Sequence, residues 1–234
     1  EPGEAYWNDI PALHPNAASE PPCCREDALA ENEIWSAMAA MMPESHHDHH
    51  HEHCHDHGVD PHVWLDPQLA LQMVLAINTA LNEAAPEYTT YFNRRRETYL
   101  EALLEVDHWA KEQLALIPVE RRILINHHDN LRYFGRRYGY FTPASILGSA
   151  TTETADPSAR QFTELIALIQ AQDAPAIFID ATANPRLAEQ LAREAGLPKP
   201  SILYTGNLTP ADGPAPDYLS MMRANVGTIT TALR

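Results

Sequence analysis

The sequence is poor in positive charge and has no long apolar run. Its 16 Lys and Arg residues stand against 32 Asp and Glu residues, for a formal net charge of −16. Because phosphate groups would repel so acidic a chain, the composition argues against nucleic acid or an anionic membrane surface as a partner and favours metal cations. No apolar run approaches the roughly 20 residues that a bilayer span requires. Since the chain starts at Glu1 without Met or an apolar leader, we expect a mature or truncated product.

Cysteine is also scarce, and the three cysteines do not form a disulfide framework. Cys23 and Cys24 are adjacent and poorly placed to bridge each other, because a disulfide requires Cα atoms about 4.4–6.8 Å apart with converging side chains. Either of them could pair with Cys54 in an oxidising compartment, which would leave the third cysteine free. Three unpaired loop cysteines are the alternative.

Histidine, by contrast, is abundant in a low-complexity acidic segment over 44–58. This segment is too polar to contribute to a core, so we predict a loop. Its histidines lack rigid neighbours and would bind divalent ions weakly and in several geometries. We predict an auxiliary metal-binding role for the eight of them: His46, His47, His49, His50, His51, His53, His55 and His57.

Two helices are predicted after this loop. Asp66 is a favourable N-cap and Pro67 a favourable first helical residue, and the helix that they begin runs to about Ala84. A second helix is predicted over 86–117, where residues recur at steps of three or four in a stripe that is apolar except for Arg95. At ~1.5 Å per residue this helix would be roughly 48 Å long, which suggests a strut between two bodies.

The chain after Pro118 alternates short apolar strands with amphipathic helices. Strands are predicted over 121–126, 141–147, 176–180 and 201–205, and helices over 130–138, 156–172, 185–195 and 217–233. This alternation predicts an α/β lobe, a parallel sheet with flanking helices. Ligands of such sheets bind at the carboxyl ends of the strands, and the residues expected there are Asn126, His127, His128 and Asp180.

Two histidines outside the loop are candidate metal ligands. His62 lies between Pro61 and Trp64, just before a capped helix, and such a restricted backbone suits a metal ligand because little entropy is lost on binding. A histidine that only packs near a helix start is the alternative. His128 directly follows a predicted strand, but His127 competes with it. Since strand alternation sends the two side chains in opposite directions, we expect only one of them to face a shared site.

Four segments of the chain are distinctive: DPHVWLDP (60–67), HHDNLRYFGRRYG (127–139), AIFIDATANPRLAEQLAREAGL (176–197) and DYLSMMRANVGTITTAL (217–233). Together they resemble the zinc- and manganese-specific substrate-binding proteins of bacterial ABC importers. The resemblance covers 60–234 and implies two α/β lobes bridged by one long rigid helix, with metal bound in the cleft between them. It also implies an acidic His-rich loop just before DPHVW in zinc-specific members, which 46–57 resembles.

Residue by residue, the resemblance implies that His62 and His128 are cleft ligands and that His127 is not. Members usually carry a carboxylate ligand after the last strand, where this chain has Gly206. Asp180 or Glu153 could replace it, and we predict Asp180 as the third metal ligand.

The resemblance also implies a further histidine in the first lobe, for which too few residues precede position 60. His14 is the only early histidine, and its surroundings do not match. We therefore predict three parts: 1–65 as the remnant of an incomplete or reduced N-terminal lobe, 66–117 as helices that include the interlobe helix, and 118–234 as the C-terminal α/β lobe.

The predicted function is capture of a divalent metal for the membrane permease of an ABC importer. Imidazole ligands favour Zn²⁺ over Mn²⁺, which prefers carboxylate oxygen, and the loop would collect zinc or sense its sufficiency. The resemblance implies a periplasmic or extracellular monomer, associated with the membrane through its permease.

Two other functions compete with this one. The first is a zinc buffer or metallochaperone in which 46–57 is the whole function. The second is a zinc hydrolase with Asp129 or Glu153 as its general base. The chain contains no HExxH motif or comparable catalytic pair, so we predict that it is not an enzyme.

Zinc affinity is predicted to fall as the pH drops through about 6.5, the ordinary pKa of histidine, because only neutral imidazoles bind metal. Calorimetric titration with zinc at pH 7.5 and pH 5.5 measures this. Equal affinity at the two pH values would contradict histidine ligation.

Overall fold

The computed structural model describes residues 60–143, 145–146 and 158–234. The α-helices of this part are α1 Pro67–Ala84, α2 Thr89–Ala115, α3 Arg132–Tyr138, α4 Ala159–Ala171, α5 Pro185–Ala195 and α6 Tyr218–Leu233, and its strands are β1 Ile125–Asn126, β2 Ile177–Asp180 and β3 Ser201–Leu203. The predicted mixed α/β class with a parallel sheet is confirmed. The reduced N-terminal lobe and the division of the chain into three parts stay predictions, since residues 1–59 lie outside the described residues.

The sheet is parallel, with strand order β1-β2-β3. Ile125 pairs with Ile177 and Asp180 pairs with Leu203. The strand predicted over 141–147 is wrong in the residues that the structure describes there. Only the bridges Ile123–Phe141 and Asn126–Ser145 form beside β1. The strand predicted over 121–126 is also too long, because its first residue lies in a 3₁₀ turn, Val119–Arg121.

Alternation along the strands places the sheet between two apolar layers. Phe178 packs in one cluster with residues of α2, α3 and α6, whereas its neighbours Ile177 and Ile179 pack in a second cluster with residues of α4 and α5. A parallel strand with helices on both faces buries successive residues on opposite sides, which explains why the strand reads as a continuous apolar run. The carboxyl ends of the strands are left as the polar edge.

Capping residues explain where most helices begin and end. Asp66 accepts a hydrogen bond from the Gln68 main-chain N–H and begins α1 as predicted. The predicted start of α4 at 156 is wrong, because Ser158 is the N-cap and forms a capping box with Gln161. Helices α3 and α5 end at glycines with positive φ (71° and 75°), which only glycine adopts without strain.

Helix α2 is shorter than predicted and is buried along only part of its length. A 3₁₀ turn, Pro86–Tyr88, precedes it, and Tyr88, which lies in the range 86–117 predicted to carry an apolar stripe, is 56% exposed. The buried stripe runs instead from Leu100 to Leu114 and packs against α6 and the sheet. Among the described residues, no helix is long and apolar enough to cross a membrane.

A buried carboxylate, Asp107 of α2, interrupts this apolar stripe. It is 4% exposed and accepts hydrogen bonds from Arg137 Nε at 3.1 Å, Tyr138 Oη at 3.1 Å and Gln68 Nε2 at 3.2 Å. Burial raises the pKa of Asp107, but the hydrogen bond and charge of Arg137, together with the charge of Lys111, lower it further, so its pKa lies below the ordinary value. The ionised carboxylate therefore joins α2 to α1 and α3.

Replacing this carboxylate with an amide should destabilise the fold. We expect D107N to lower the free energy of unfolding by about 2–3 kcal/mol, because Arg137 would lose a buried ionic partner. Urea denaturation at pH 7 measures the loss. Because the folded-state pKa is depressed, the contribution is present above the ordinary Asp pKa of about 3.9 and is lost as the pH falls below it.

The matched control is E112Q on the same helix, where the Glu112 side chain is 60% exposed and pairs only with His108 at its surface. It should change stability by less than about 0.5 kcal/mol. Equal effects of the two variants would contradict a structural role for the buried carboxylate.

Candidate metal centre

His62 is held at the start of a 3₁₀ turn, Val63–Leu65, by a neighbouring carboxylate. Its Nδ1 lies 2.6 Å from Asp60 Oδ1, which also accepts the His62 main-chain N–H at 3.0 Å. Burial raises the pKa of Asp60, but the hydrogen bonds and charge of His62 and the charge of Arg132 lower it below its ordinary value. An ionised Asp60 can only accept a hydrogen bond, so the proton of the neutral imidazole lies on Nδ1 and Nε2 keeps its lone pair.

His128 lies in the loop between β1 and α3. It is 9% exposed, and its main-chain oxygen accepts hydrogen bonds from Asn130 N at 2.8 Å and from Asn126 Nδ2. Asn126 is the last residue of β1 and Asn130 precedes α3. The two asparagines thus fix the backbone that carries the imidazole at the carboxyl edge of the sheet.

The fold brings these two imidazoles together across 66 residues of sequence. His128 Nε2 lies 3.2 Å from His62 Nε2, and the ring centroids are 5.0 Å apart at 80°. Both residues are buried, at 8% and 9% exposure. Two nitrogens bound at about 2.0–2.1 Å to one tetrahedral metal would lie about 3.3 Å apart. The observed separation is therefore compatible with two ligands of a single ion.

Asp180 is placed differently from the two histidines. It ends β2 and lines the same small cavity as His128, but its Oδ1 accepts hydrogen bonds from Thr182 and its Oδ2 from Thr205. Across the described ranges, no three His, Cys, Asp or Glu side chains gather into a possible metal cluster. The structure thus does not bring Asp180 together with both histidines, and its ligand role stays a prediction.

The other predicted residues fall in three groups. His127 is half-buried and lines the cavity beside His128. Asp129, the base of the hydrolase alternative, forms an ion pair with Arg132. Glu153 and the eight loop histidines lie outside the described residues. At Gly206, an added Cβ would meet nothing within 4 Å.

Sequence reasoning missed Asp60 and Thr205 as parts of this centre. The contact of Asp60 with His62 could have been predicted, because an Asp side chain commonly accepts a hydrogen bond from the main-chain N–H of the residue two positions later. Thr205, which bonds to Trp64, Asn130 and Asp180, had none, since its partners are distant in the chain.

The Asp60 contact predicts the tautomer of His62 in the metal-free protein. We expect the neutral ring to carry its proton on Nδ1, and the D60N variant to shift the ring toward a mixture of tautomers. Long-range ¹H–¹⁵N NMR spectra of the imidazoles measure this. D212N, which changes an exposed carboxylate, is the control. An Nε2-protonated His62 in the wild type would contradict the geometry.

Several curated proteins are similar to this chain over roughly 150 to 170 residues. The manganese-binding lipoprotein MntA of Halalkalibacterium halodurans is 29% identical over 73% of this chain and 56% of its own length. The iron-binding protein YfeA of Yersinia pestis is 29% identical over 71% of this chain and 52% of its own length. The zinc-binding protein TroA of Treponema pallidum is 33% identical over 63% of this chain and 49% of its own length. The chain thus spans about half the length of these relatives.

Solved structures show the same fold. The periplasmic zinc-binding protein TroA of Treponema pallidum matches with a TM-score of 0.68 at 29% identity, over 74% of this chain and 64% of that one. The Mn-bound periplasmic metal-binding protein of Candidatus Liberibacter asiaticus matches in fold with a TM-score of 0.66 at 23% identity, over 75% of this chain and 64% of that one.

The family model described as zinc-uptake complex component A, periplasmic, matches residues 25–232, which is nearly the whole chain. The match includes the segments that hold His62 and His128 and the helices that flank the sheet. It agrees with the expected resemblance and with the expectation that the chain is not an enzyme. The chain belongs to this family of metal-binding substrate-binding proteins of ABC transporters.

Proposed function

We propose that this chain captures a divalent transition metal between His62 and His128 for delivery to the permease of an ABC importer. The observation that carries the proposal is the 3.2 Å approach of the two Nε2 atoms. Each imidazole is buried and presents the same ring nitrogen to the other, as two ligands of one ion would. Family membership supports the transport role.

The environment of His62 suits a prearranged metal ligand. A carboxylate on Nδ1 fixes the ring and its tautomer and makes Nε2 a stronger donor, an arrangement common around metal-bound histidines. The 2.6 Å contact with Asp60 supplies this carboxylate. Trp64 packs edge-on against the ring, with centroids 5.3 Å apart. Little entropy would then be lost when metal binds.

Zinc is the metal that the donor set favours. Two imidazole nitrogens suit Zn²⁺ better than Mn²⁺, which prefers oxygen ligands. The names of the relatives include manganese, iron and zinc, so the preference is argued from the ligands of this chain. A four-coordinate site needs further ligands. Asp180 would have to give up hydrogen bonds to coordinate, so a water molecule suits the third position better.

The His-rich segment, the compartment and the assembly are parts of the same proposal. The histidines of 46–57 would raise the local zinc concentration or sense its sufficiency. We place the chain in the periplasm or outside the cell as a monomer that associates with the membrane through its permease, and the family's role supports this placement. The net charge of −16 favours attraction of cations over long distances.

Removing either imidazole should abolish tight binding. We expect H62A and H128A each to weaken zinc binding at least about 100-fold. A residue that binds the metal directly contributes at least as much to the affinity as a residue that only orients a ligand. Competition with a chelating dye at pH 7.5 measures the affinity. H108A, whose side chain is 69% exposed on α2, is the control. Unchanged one-to-one binding in the H62A/H128A double variant would overturn the proposal.

Deleting 46–57 separates the carrier from the zinc buffer. A carrier should keep one tight site and lose several weak ones, because its main ligands, His62 and His128, lie outside 46–57. Calorimetry resolves the two classes of sites. Loss of nearly all zinc binding on deletion would favour the buffer.

The preference for zinc is tested on the intact chain. Tighter binding of Mn²⁺ than of Zn²⁺ would contradict it.

A further inference from the structure

One buried threonine contacts both segments that carry the histidines. Thr205 follows β3 and is 4% exposed. Its main-chain oxygen accepts a hydrogen bond from Trp64 Nε1 at 2.7 Å, and its hydroxyl oxygen accepts one from Asn130 Nδ2 at 2.9 Å. Trp64 lies two residues after His62, and Asn130 lies two residues after His128. A single residue therefore links the two histidine segments.

The hydroxyl of Thr205 is itself fixed by Asp180. Both the main-chain N–H and the hydroxyl of Thr205 donate to Asp180 Oδ2, at 3.0 Å and 2.6 Å. Burial raises the pKa of Asp180, but hydrogen bonds from Thr182 and Thr205 lower it further, to below the ordinary value. Because an ionised carboxylate only accepts, the hydroxyl proton of Thr205 points to Asp180 and its lone pair is left for Asn130.

The main chain at Thr205 is held from α6 as well. Asn225 Oδ1 accepts the main-chain N–H of the preceding residue, Tyr204, at 2.8 Å, and Asn225 Nδ2 donates to the Tyr204 main-chain oxygen at 2.8 Å. Asn225 is 4% exposed. Thr205 is thus a fixed point at the carboxyl edge of the sheet, anchored by β2 on one side and by α6 on the other.

From Thr205, one path leads to each imidazole. Asn130 connects Thr205 to His128, because its main-chain N–H donates a hydrogen bond to the His128 carbonyl at 2.8 Å. Its Oδ1 also accepts a hydrogen bond from Asn126 Nδ2 at 2.8 Å. Trp64 connects Thr205 to His62, because its ring packs edge-on against the imidazole with centroids 5.3 Å apart. Tyr218 Oη further fixes Trp64 by donating to its main-chain oxygen at 2.8 Å.

We propose that Thr205 is a positioning residue that sets the separation of His62 and His128, and that Asp180 acts on the metal site through Thr205, not as a ligand. The inference rests on the proposed function, since the separation of the imidazoles matters for activity only if they share an ion. Thr205 contributes no ligand itself. Its effect is to hold two ring nitrogens at a distance that one metal ion can bridge.

The hydroxyl can be tested with two variants of the full chain. T205V keeps the shape of the side chain and both main-chain bonds but removes the hydroxyl, and T205S restores it. We expect T205V to bind zinc about 10–100-fold more weakly than the wild type, the usual loss for a group that orients a metal ligand. T205S should bind within about threefold of the wild type.

The matched control is T230V, because Thr230 is also buried but its hydroxyl donates only to main-chain oxygens of its own helix, α6. It should leave zinc affinity unchanged. If T205V and T205S lose affinity equally, the effect comes from packing and the inference is wrong. Wild-type affinity in T205V would also overturn it.

A metal-free measurement distinguishes this inference from the proposed function. In ¹H–¹⁵N spectra of the imidazoles without zinc, we expect T205V to shift the His128 ring signals and T205S to leave them in place. If the wild type bound no zinc, the proposed function would fail. The metal-free NMR spectra would still test whether Thr205 positions the His128 ring. Unmoved His128 signals in T205V would reject the positioning role.

W64F tests the second path and does not depend on the folding of T205V. It keeps an aromatic ring beside His62 but removes the indole N–H that bonds to Thr205. We expect His62 ring signals to shift in the metal-free protein and zinc affinity to fall about tenfold. Wild-type signals and affinity in W64F would show that Thr205 does not hold His62.

Discussion

Two buried imidazoles that face each other with the same ring nitrogen are the constraint on which the rest of the site depends. The two Nε2 atoms lie 3.2 Å apart. Without a metal, this contact is favourable only when the N–H of one ring donates a hydrogen bond to the other ring. The contact with Asp60 favours the tautomer of neutral His62 with its proton on Nδ1, and in that tautomer His128 is the donor. For one metal ion to bind both Nε2 atoms, the His128 ring would have to carry its proton on Nδ1 instead, which frees the Nε2 lone pair. The observed separation of the two nitrogens is compatible with a bound ion and would not require the fold to rearrange.

The parallel sheet makes this constraint possible. Its carboxyl edge collects polar residues from three successive strands: Asn126 at the end of β1, Asp180 at the end of β2 and Thr205 just after β3. Hydrogen bonds through Asn130 join all three, so the edge forms one connected polar network. Because the strands pack between two apolar layers, they bring side chains that are far apart in the sequence together at this edge.

The elements of this fold could be predicted where the signal is local. Asp66 and Pro67 predicted the start of α1, the predicted ranges 130–138 and 185–195 end where α3 and α5 end, and an apolar run predicted the position of β2. The long helix was overestimated, because periodicity does not show whether Tyr88 and its neighbours have anything to pack against. The strand predicted over 141–147 failed for a similar reason, since an apolar run does not show whether a segment pairs as a strand or only through single bridges.

Sequence reasoning singled out the two histidines of the candidate centre, whose role as metal ligands stays a prediction, but it missed the residues that hold them in place. His62 and His128 were chosen from a stiff backbone and a strand end, and the structure brings the two together. Asp180 was chosen from its place at a strand end, but its hydrogen-bond partners depend on tertiary contacts with Thr205 that no local pattern reveals. Buried carboxylates such as Asp107 are hard to foresee for the same reason, because Arg137, the main partner of Asp107, lies 30 residues away.

The most direct test of the central claim is anomalous scattering at the zinc edge from a crystal of the zinc-loaded chain. The account predicts one strong peak per chain at about 2.0–2.1 Å from Nε2 of both His62 and His128, with any weaker peaks on the His-rich segment. A structure in which zinc binds only to residues 46–57, while the two imidazoles remain in direct contact, would contradict it.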